Sequence, residues 1–270
     1  MQGRLSPLVG RRIQAFPWNC WQDEFAAAEQ HEFQLMEWTL DQDRLYENPL
    51  MTEAGLLEII KLKRQHGLAV PSLTGDCFLQ APFWKLAMER DALLRDLRAI
   101  IHAAATIGIS LILMPLVDAG RLENSTQENE LRVGLASVER DLEEQGVRIT
   151  FESDFSPERL ALFIDGFDPK YYGLTFDIGN SASLGYNFED EIAAYGPRIV
   201  NVHVKDRLLS GTTVPLGTGN AKLPETIAAL EHAGYRGNYI LQTARAADGD
   251  HAEMLHHYKS MVENWLEQAA

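Results

Sequence analysis

VRITFESD (147–154), YGLTFDIGN (172–180), IVNVHVKD (199–206) and NYILQTAR (238–245) decide the reading of this chain. Each is a short apolar run rich in β-branched and aromatic residues, and each ends in a side chain able to hold a divalent cation: Glu152, Asp177, His203 and Gln242. Three further segments of the same kind precede them, FQLMEWT (33–39), LAVPSLT (68–74) and GISLILMPL (108–116). Helical stretches separate the seven. They are WQDEFAAAEQ, TEAGLLEIIKLKRQHG, a long 82–108 segment, a second long one over 126–146, PERLALFID, FEDEIAAYG and LPETIAALEHAG, with a closing helix from His251. Strand and helix alternating this often, joined by short loops, predict a parallel sheet, and eight units would close it into a (β/α)8 barrel. Only MQGRL precedes the first helix, so the first strand is expected to be short or truncated.

Successive strand residues point to opposite faces. In VRITFES, Val147, Ile149 and Phe151 belong under the helices, and Arg148, Thr150 and Glu152 in the barrel interior. The same parity puts Thr175 with Asp177, Asn201 with His203 and Lys205, Leu35 with Glu37, Ser72 and Thr74 with Asp76, and Ile240 with Gln242. Each candidate falls on the inward register at or just past its strand's end, which is the mouth where such barrels carry their chemistry. A lone strand-end acid reads equally well as a helix cap or ion-pair partner; four on consecutive strands favour one shared site. Two carboxylates, an imidazole and an amide oxygen suit Mn2+, Mg2+ or Co2+, with Zn2+ an alternative.

At 270 residues and 46% hydrophobic content, the chain is expected to form a single barrel domain over 1–270. A net charge of -15 opposes nucleic-acid binding. No apolar run is long enough to cross a bilayer, and MQGRLSPLVGRR lacks the apolar core of a signal peptide, so a cytoplasmic location is expected. Cys20 and Cys77 lack metal-type spacing and read as reduced structural thiols. His31, His66, His102, His232, His251, His256 and His257 fall on or beside helices and read as solvated or satisfied. No GxGxxG loop follows an early strand, which argues against an open dinucleotide-binding sheet, and GTGN (217–220) reads as a plain turn. A homodimer is the default oligomer, with no residue marking it.

TFDIGNSASLGYN (175–187), NVHVKDR (201–207) and VPLGTGNAKLPETIAALEHAGYRGNYILQ (214–242), with Glu152 before them, resemble the xylose isomerase-like TIM-barrel superfamily, in its sugar phosphate isomerase/epimerase group that includes L-xylulose 5-phosphate 3-epimerase. The resemblance runs from about Glu37 to the C-terminus. It implies a divalent ion, often manganese, held at Glu152, Asp177, His203 and Gln242, and a small sugar or sugar phosphate as substrate. It also implies that Glu37, Lys205 and Arg245 line the pocket, joined as substrate-binding candidates by Asn180 and by Asp76. Lys205 reads equally as an ion-pair partner of Asp206.

Two positions depart from the family. Its epimerases use two metal-bound glutamates as bases on opposite faces of the sugar, and Gln242 stands where the second would be; an amide cannot take a proton as a carboxylate does. Asn180 stands where many members carry histidine. The expected chemistry is abstraction of a proton beside a carbonyl by Glu152, through an enediolate, the proton being returned by Glu152 itself, giving aldose–ketose isomerisation, or by another acid such as Glu37. A sugar-binding or regulatory barrel that has lost turnover, and an inosose-dehydratase-like lyase, are the alternatives. A DNA-repair endonuclease of the related branch would need more strand-end His and Glu ligands and a less acidic surface.

Overall fold

The computed structural model describes residues 4–10 and 12–269. Seven strands, β1 (Leu35–Thr39), β2 (Ala69–Thr74), β3 (Leu111–Leu116), β4 (Arg148–Ser153), β5 (Tyr172–Asp177), β6 (Ile199–Val204) and, after a small hairpin, β9 (Asn238–Leu241), form one parallel sheet in the order β1-β2-β3-β4-β5-β6-β9. The hairpin pairs β7 (Asp206–Arg207) with β8 (Thr213–Val214). Helices alternate with the strands, and the sheet curls until β1 and β9 approach each other, giving a nearly closed TIM barrel. The described residues supply seven barrel strands. In the segment expected to hold an eighth, Arg4 and Leu5 form no strand, and Met1–Gly3 lie outside the described residues. Arg4 sits at the seam instead, its guanidinium donating to the Thr243 carbonyl while Arg245 Nη1 donates to the Arg4 and Ser6 carbonyls at 3.0 and 2.7 Å.

The alternation of faces runs as the strand parity predicts. Ile149, Phe151, Leu174, Phe176, Val202 and Val204 are buried with the apolar core. Phe151 stands 5.4 Å from Phe163 and 5.2 Å from Phe167, so the helix Pro157–Asp165 is clamped to the barrel by aromatic contact. That helix starts where the sequence dictates: Ser156 Oγ accepts from the Arg159 amide and Pro157 occupies the first turn. Several inward positions are polar and hydrogen-bond to one another. Thr150 and Thr175 share a hydroxyl hydrogen bond of 2.7 Å, and Glu37 accepts from Ser72 and Thr74.

Some local structure differs from the sequence reading. The 82–108 segment is helical only over Arg90–Thr106, because Phe83 and Trp84 are buried and Trp84 Nε1 donates to the Gly120 carbonyl at 3.1 Å, which turns the chain before the helix begins. The 126–146 segment breaks into Ser125–Ala136 and Glu139–Gln145; Ser137 Oγ donates to the Gly134 carbonyl at 2.6 Å and so competes with the helical ladder. Short helices over Asp76–Gln80 and Ile178–Leu184 and the hairpin β7–β8 were not anticipated. Among the described residues, no helix is long and apolar enough to cross a membrane.

Candidate metal centre

Parallel register places the centre. Asp177 at the end of β5 is the direct partner of His203 on β6, and Glu152 lies near the end of the adjoining β4. Glu152, Asp177 and His203 are buried, and one ligand atom from each lies within 4.8 Å of the others. His203 Nδ1 stands 4.0 Å from Glu152 Oε2 and 3.9 Å from Asp177 Oδ2.

The orientation of His203 is set from below. Its Nε2 donates to Glu37 Oε1 at 2.8 Å, and Glu37 also accepts from Ser72 Oγ at 2.6 Å, Thr74 Oγ1 at 2.7 Å and Asn201 Nδ2 at 3.2 Å. Burial would raise the Glu37 carboxyl, but the positive charge and hydrogen bond of the His203 ring, with the Ser72 hydroxyl, outweigh it and hold the group below the usual carboxylate range. In the neutral ring, a proton on Nε2 toward Glu37 leaves the Nδ1 lone pair directed at the two carboxylates, and Nδ1 has no hydrogen-bond partner although the residue is fully buried. An orphaned imidazole nitrogen facing two buried carboxylates is a donor set that fits a divalent cation.

Asn180 ties the carboxylates together. Its side-chain amide donates to Glu152 Oε1, its backbone N–H donates to Asp177 Oδ1 at 2.8 Å, and its Oδ1 accepts from Arg207 Nη1 at 2.8 Å. Asp177 thus also caps the helix Ile178–Leu184. Lys205 Nζ donates to Asp177 Oδ2 at 2.6 Å, while Asp206 accepts three backbone N–H groups, from Gly217, Gly219 and Ala221, and so is not the partner of Lys205. Two glycines permit this packing: a Cβ on Gly179 would meet Lys205 Cγ at 2.7 Å, and one on Gly219 would meet Asp206 Oδ1 at 2.2 Å. GTGN is therefore a loop wrapped on a carboxylate. Burial, and then Asp177, raise the Glu152 carboxyl above its ordinary range.

Above the centre lies a polar cavity of about 570 Å³ whose lining includes Glu152, Asn180, Lys205, Asp76, Gln14 and Gln242. Gln242 Nε2 donates to Gln14 Oε1 at 3.3 Å, and Gln14 Nε2 donates to Asp76 Oδ2 at 3.0 Å. The structure thus brings Glu152, Asp177, His203, Gln242, Asn180, Lys205 and Asp76 to one mouth. Two candidates stand elsewhere. Glu37 lies beneath His203 and outside the cavity lining, and Arg245 is directed at the carbonyls of Arg4, Ser6 and, at 3.1 Å, Ile13. Arg207 and Gln14 were missed. Arg207 shares the inward parity of His203 and Lys205 and was open to the same test, whereas Gln14 comes from a loop with no periodic signal. An apolar groove at the opposite end, between the starts of β1 and β9, holds Lys259 and Glu263 paired at 2.8 Å and gathers no comparable acid–base set.

Residues 25–261 match the model of the xylose isomerase-like TIM barrel family. The chain is similar to L-ribulose-5-phosphate 3-epimerase UlaE of Escherichia coli O1:K1 / APEC, at 26% identity over 83% of this chain and 82% of that one. It is also similar, at 26% identity, to an uncharacterised protein of Methanocaldococcus jannaschii, over 47% of this chain and about half (48%) of that protein's length. Among solved structures, the IOLI protein with a binding zinc atom has the same fold, with a TM-score of 0.72 and 16% identity over 92% of this chain and 94% of that one. On the family match and this fold, the chain belongs to the xylose isomerase-like TIM barrel family.

Proposed function

We propose that the protein is a divalent-metal-dependent isomerase or epimerase acting on a small sugar or sugar phosphate by removal of the proton beside a carbonyl. The observation that carries this reading is the buried Nδ1 of His203, without a hydrogen-bond partner and facing Glu152 and Asp177 under a polar cavity. Glu152, Asp177 and His203 would hold the ion, with Gln242 contributing a neutral oxygen; manganese is the first candidate, and the O,N donor set also admits magnesium, cobalt or zinc. A divalent ion bound there supplies positive charge for a substrate carbonyl. The similarity to an L-ribulose-5-phosphate 3-epimerase supports a ketose or ketose phosphate as substrate.

In this reading Glu152 accepts the proton, giving an enediolate. Asn180 holds the Glu152 carboxylate in place from one side. Glu37 fixes the His203 ring and does not reach the substrate. Lys205 and Arg207 line the cavity as cations for substrate hydroxyls or a phosphate. Position 242 offers an amide, so the second proton of an epimerisation has no carboxylate there to supply it.

Incubation of the metal-loaded protein in D2O with L-ribulose 5-phosphate, L-xylulose 5-phosphate and D-fructose tests the reading. Deuterium at the carbon beside the carbonyl, abolished when the metal is stripped, is the expected result. No exchange into any of the three overturns it.

A further inference from the structure

The geometry points to Asp76 as the second proton-transfer residue, serving the face of the substrate that a carboxylate at position 242 would otherwise serve. This rests on the isomerase or epimerase reading above. Asp76 opens the helix that follows β2, and it lines the same cavity as Glu152. Glu152 rises from β4, whereas Gln242 follows β9, three strands further round the barrel. Gln14 carries a chain of hydrogen bonds from Gln242 to Asp76, accepting from the first at 3.3 Å and donating to the second at 3.0 Å. The amide at 242 is therefore linked through one side chain to an ionisable carboxyl that lines the same cavity. The alternative acid, Glu37, is already committed to four donors below the cavity floor.

The surroundings of Asp76 suit a proton donor. Among the described residues no Lys, Arg or His forms an ion pair with it; Asp41, Glu152 and Glu37 are the acids facing it, and Arg4 is the nearby cation, held between Thr243 and Gln14. Burial first, and then Asp41, push its carboxyl up to about 7, so protonated and ionised forms coexist near neutral pH.

The step balances without a further reagent. Glu152 takes the proton from the carbon beside the carbonyl, and the C–H electron pair passes into the enediolate. Asp76 gives its O–H proton to the same carbon from the other face; the enediol pair forms the new C–H bond and the carbonyl is restored. Glu152 ends protonated and Asp76 ionised, and exchange with water resets both.

The test is inversion measured beside exchange. With L-ribulose 5-phosphate, L-xylulose 5-phosphate and D-fructose in D2O, Asp76→Asn is expected to lower formation of the 3-epimer by about 10²–10⁴-fold. Deuterium wash-in without inversion, driven by Glu152, should fall far less than inversion does, metal content should be unchanged, and Asp76→Glu should restore part of the inversion. Unchanged inversion in Asp76→Asn overturns the inference, as does equal loss of inversion and exchange in a folded variant. Wild-type exchange that yields an aldose and no epimer also overturns it while leaving the proposed function standing. No wild-type exchange at all removes both.

Discussion

Glu37 Oε1 accepts the His203 Nε2 proton at 2.8 Å across the barrel interior, linking two strands that are not neighbours in the sheet. This contact accounts for a carboxylate buried in the barrel: in the neutral ring it holds the proton on Nε2 and leaves Nδ1 as a lone pair toward Glu152 and Asp177.

Glu37→Gln keeps the size of the side chain but presents an amide NH2 to groups that are donors themselves. Metal affinity should fall about 10–100-fold, the usual cost of altering a partner of a metal-ligating histidine. Calorimetric titration with Mn2+ measures it; an unchanged affinity would mean that the contact does not orient the ligand.

Glu152→Gln retains an oxygen for the ion but cannot accept a proton. Turnover should fall about 10²–10⁴-fold while metal is partly retained. Steady-state rates beside elemental analysis distinguish this from simple loss of the ion, and wild-type turnover would move the base elsewhere.

Gln242→Glu adds a negative charge to the cavity wall and a possible second base. Mn2+ should bind more tightly, and 3-epimer formation from a pentulose phosphate should rise. Equal affinity together with no added epimerisation would show that position 242 does not face the ion.

Asp206→Ala removes the acceptor of the Gly217, Gly219 and Ala221 amides. Leaving such groups unsatisfied costs about 3 kcal/mol, which for a chain of this size lowers Tm by roughly 6–12 °C. Differential scanning calorimetry tests it, with metal content as the control; an unshifted Tm would mean that the loop holds itself without the carboxylate.

Much of this was legible in the sequence because strand parity is a strict rule. Glu152, Asp177, His203 and Gln242 sit at strand ends on the inward register, and a side chain there can hardly avoid the mouth of the barrel. Parity alone could not show how far down Glu37 sits, two residues before the end of its strand and under His203. It was also silent on Gln14, whose loop reaches the cavity through tertiary packing. The breaks near Trp84 and Ser137 escaped detection because helix periodicity continues through both while a buried indole and a hydroxyl bond override it. Asn180 was noticed as a departure, but its grip on both carboxylates depends on the turn that Asp177 caps.

The central claim is that His203 Nδ1, Glu152 and Asp177 hold one divalent ion. Its most direct test is Mn2+ titration of the wild-type protein beside His203→Ala, with circular dichroism to confirm that the variant is folded. The account predicts one ion per chain in the wild type and loss of stoichiometric binding in the variant. Equal binding by both proteins would contradict it.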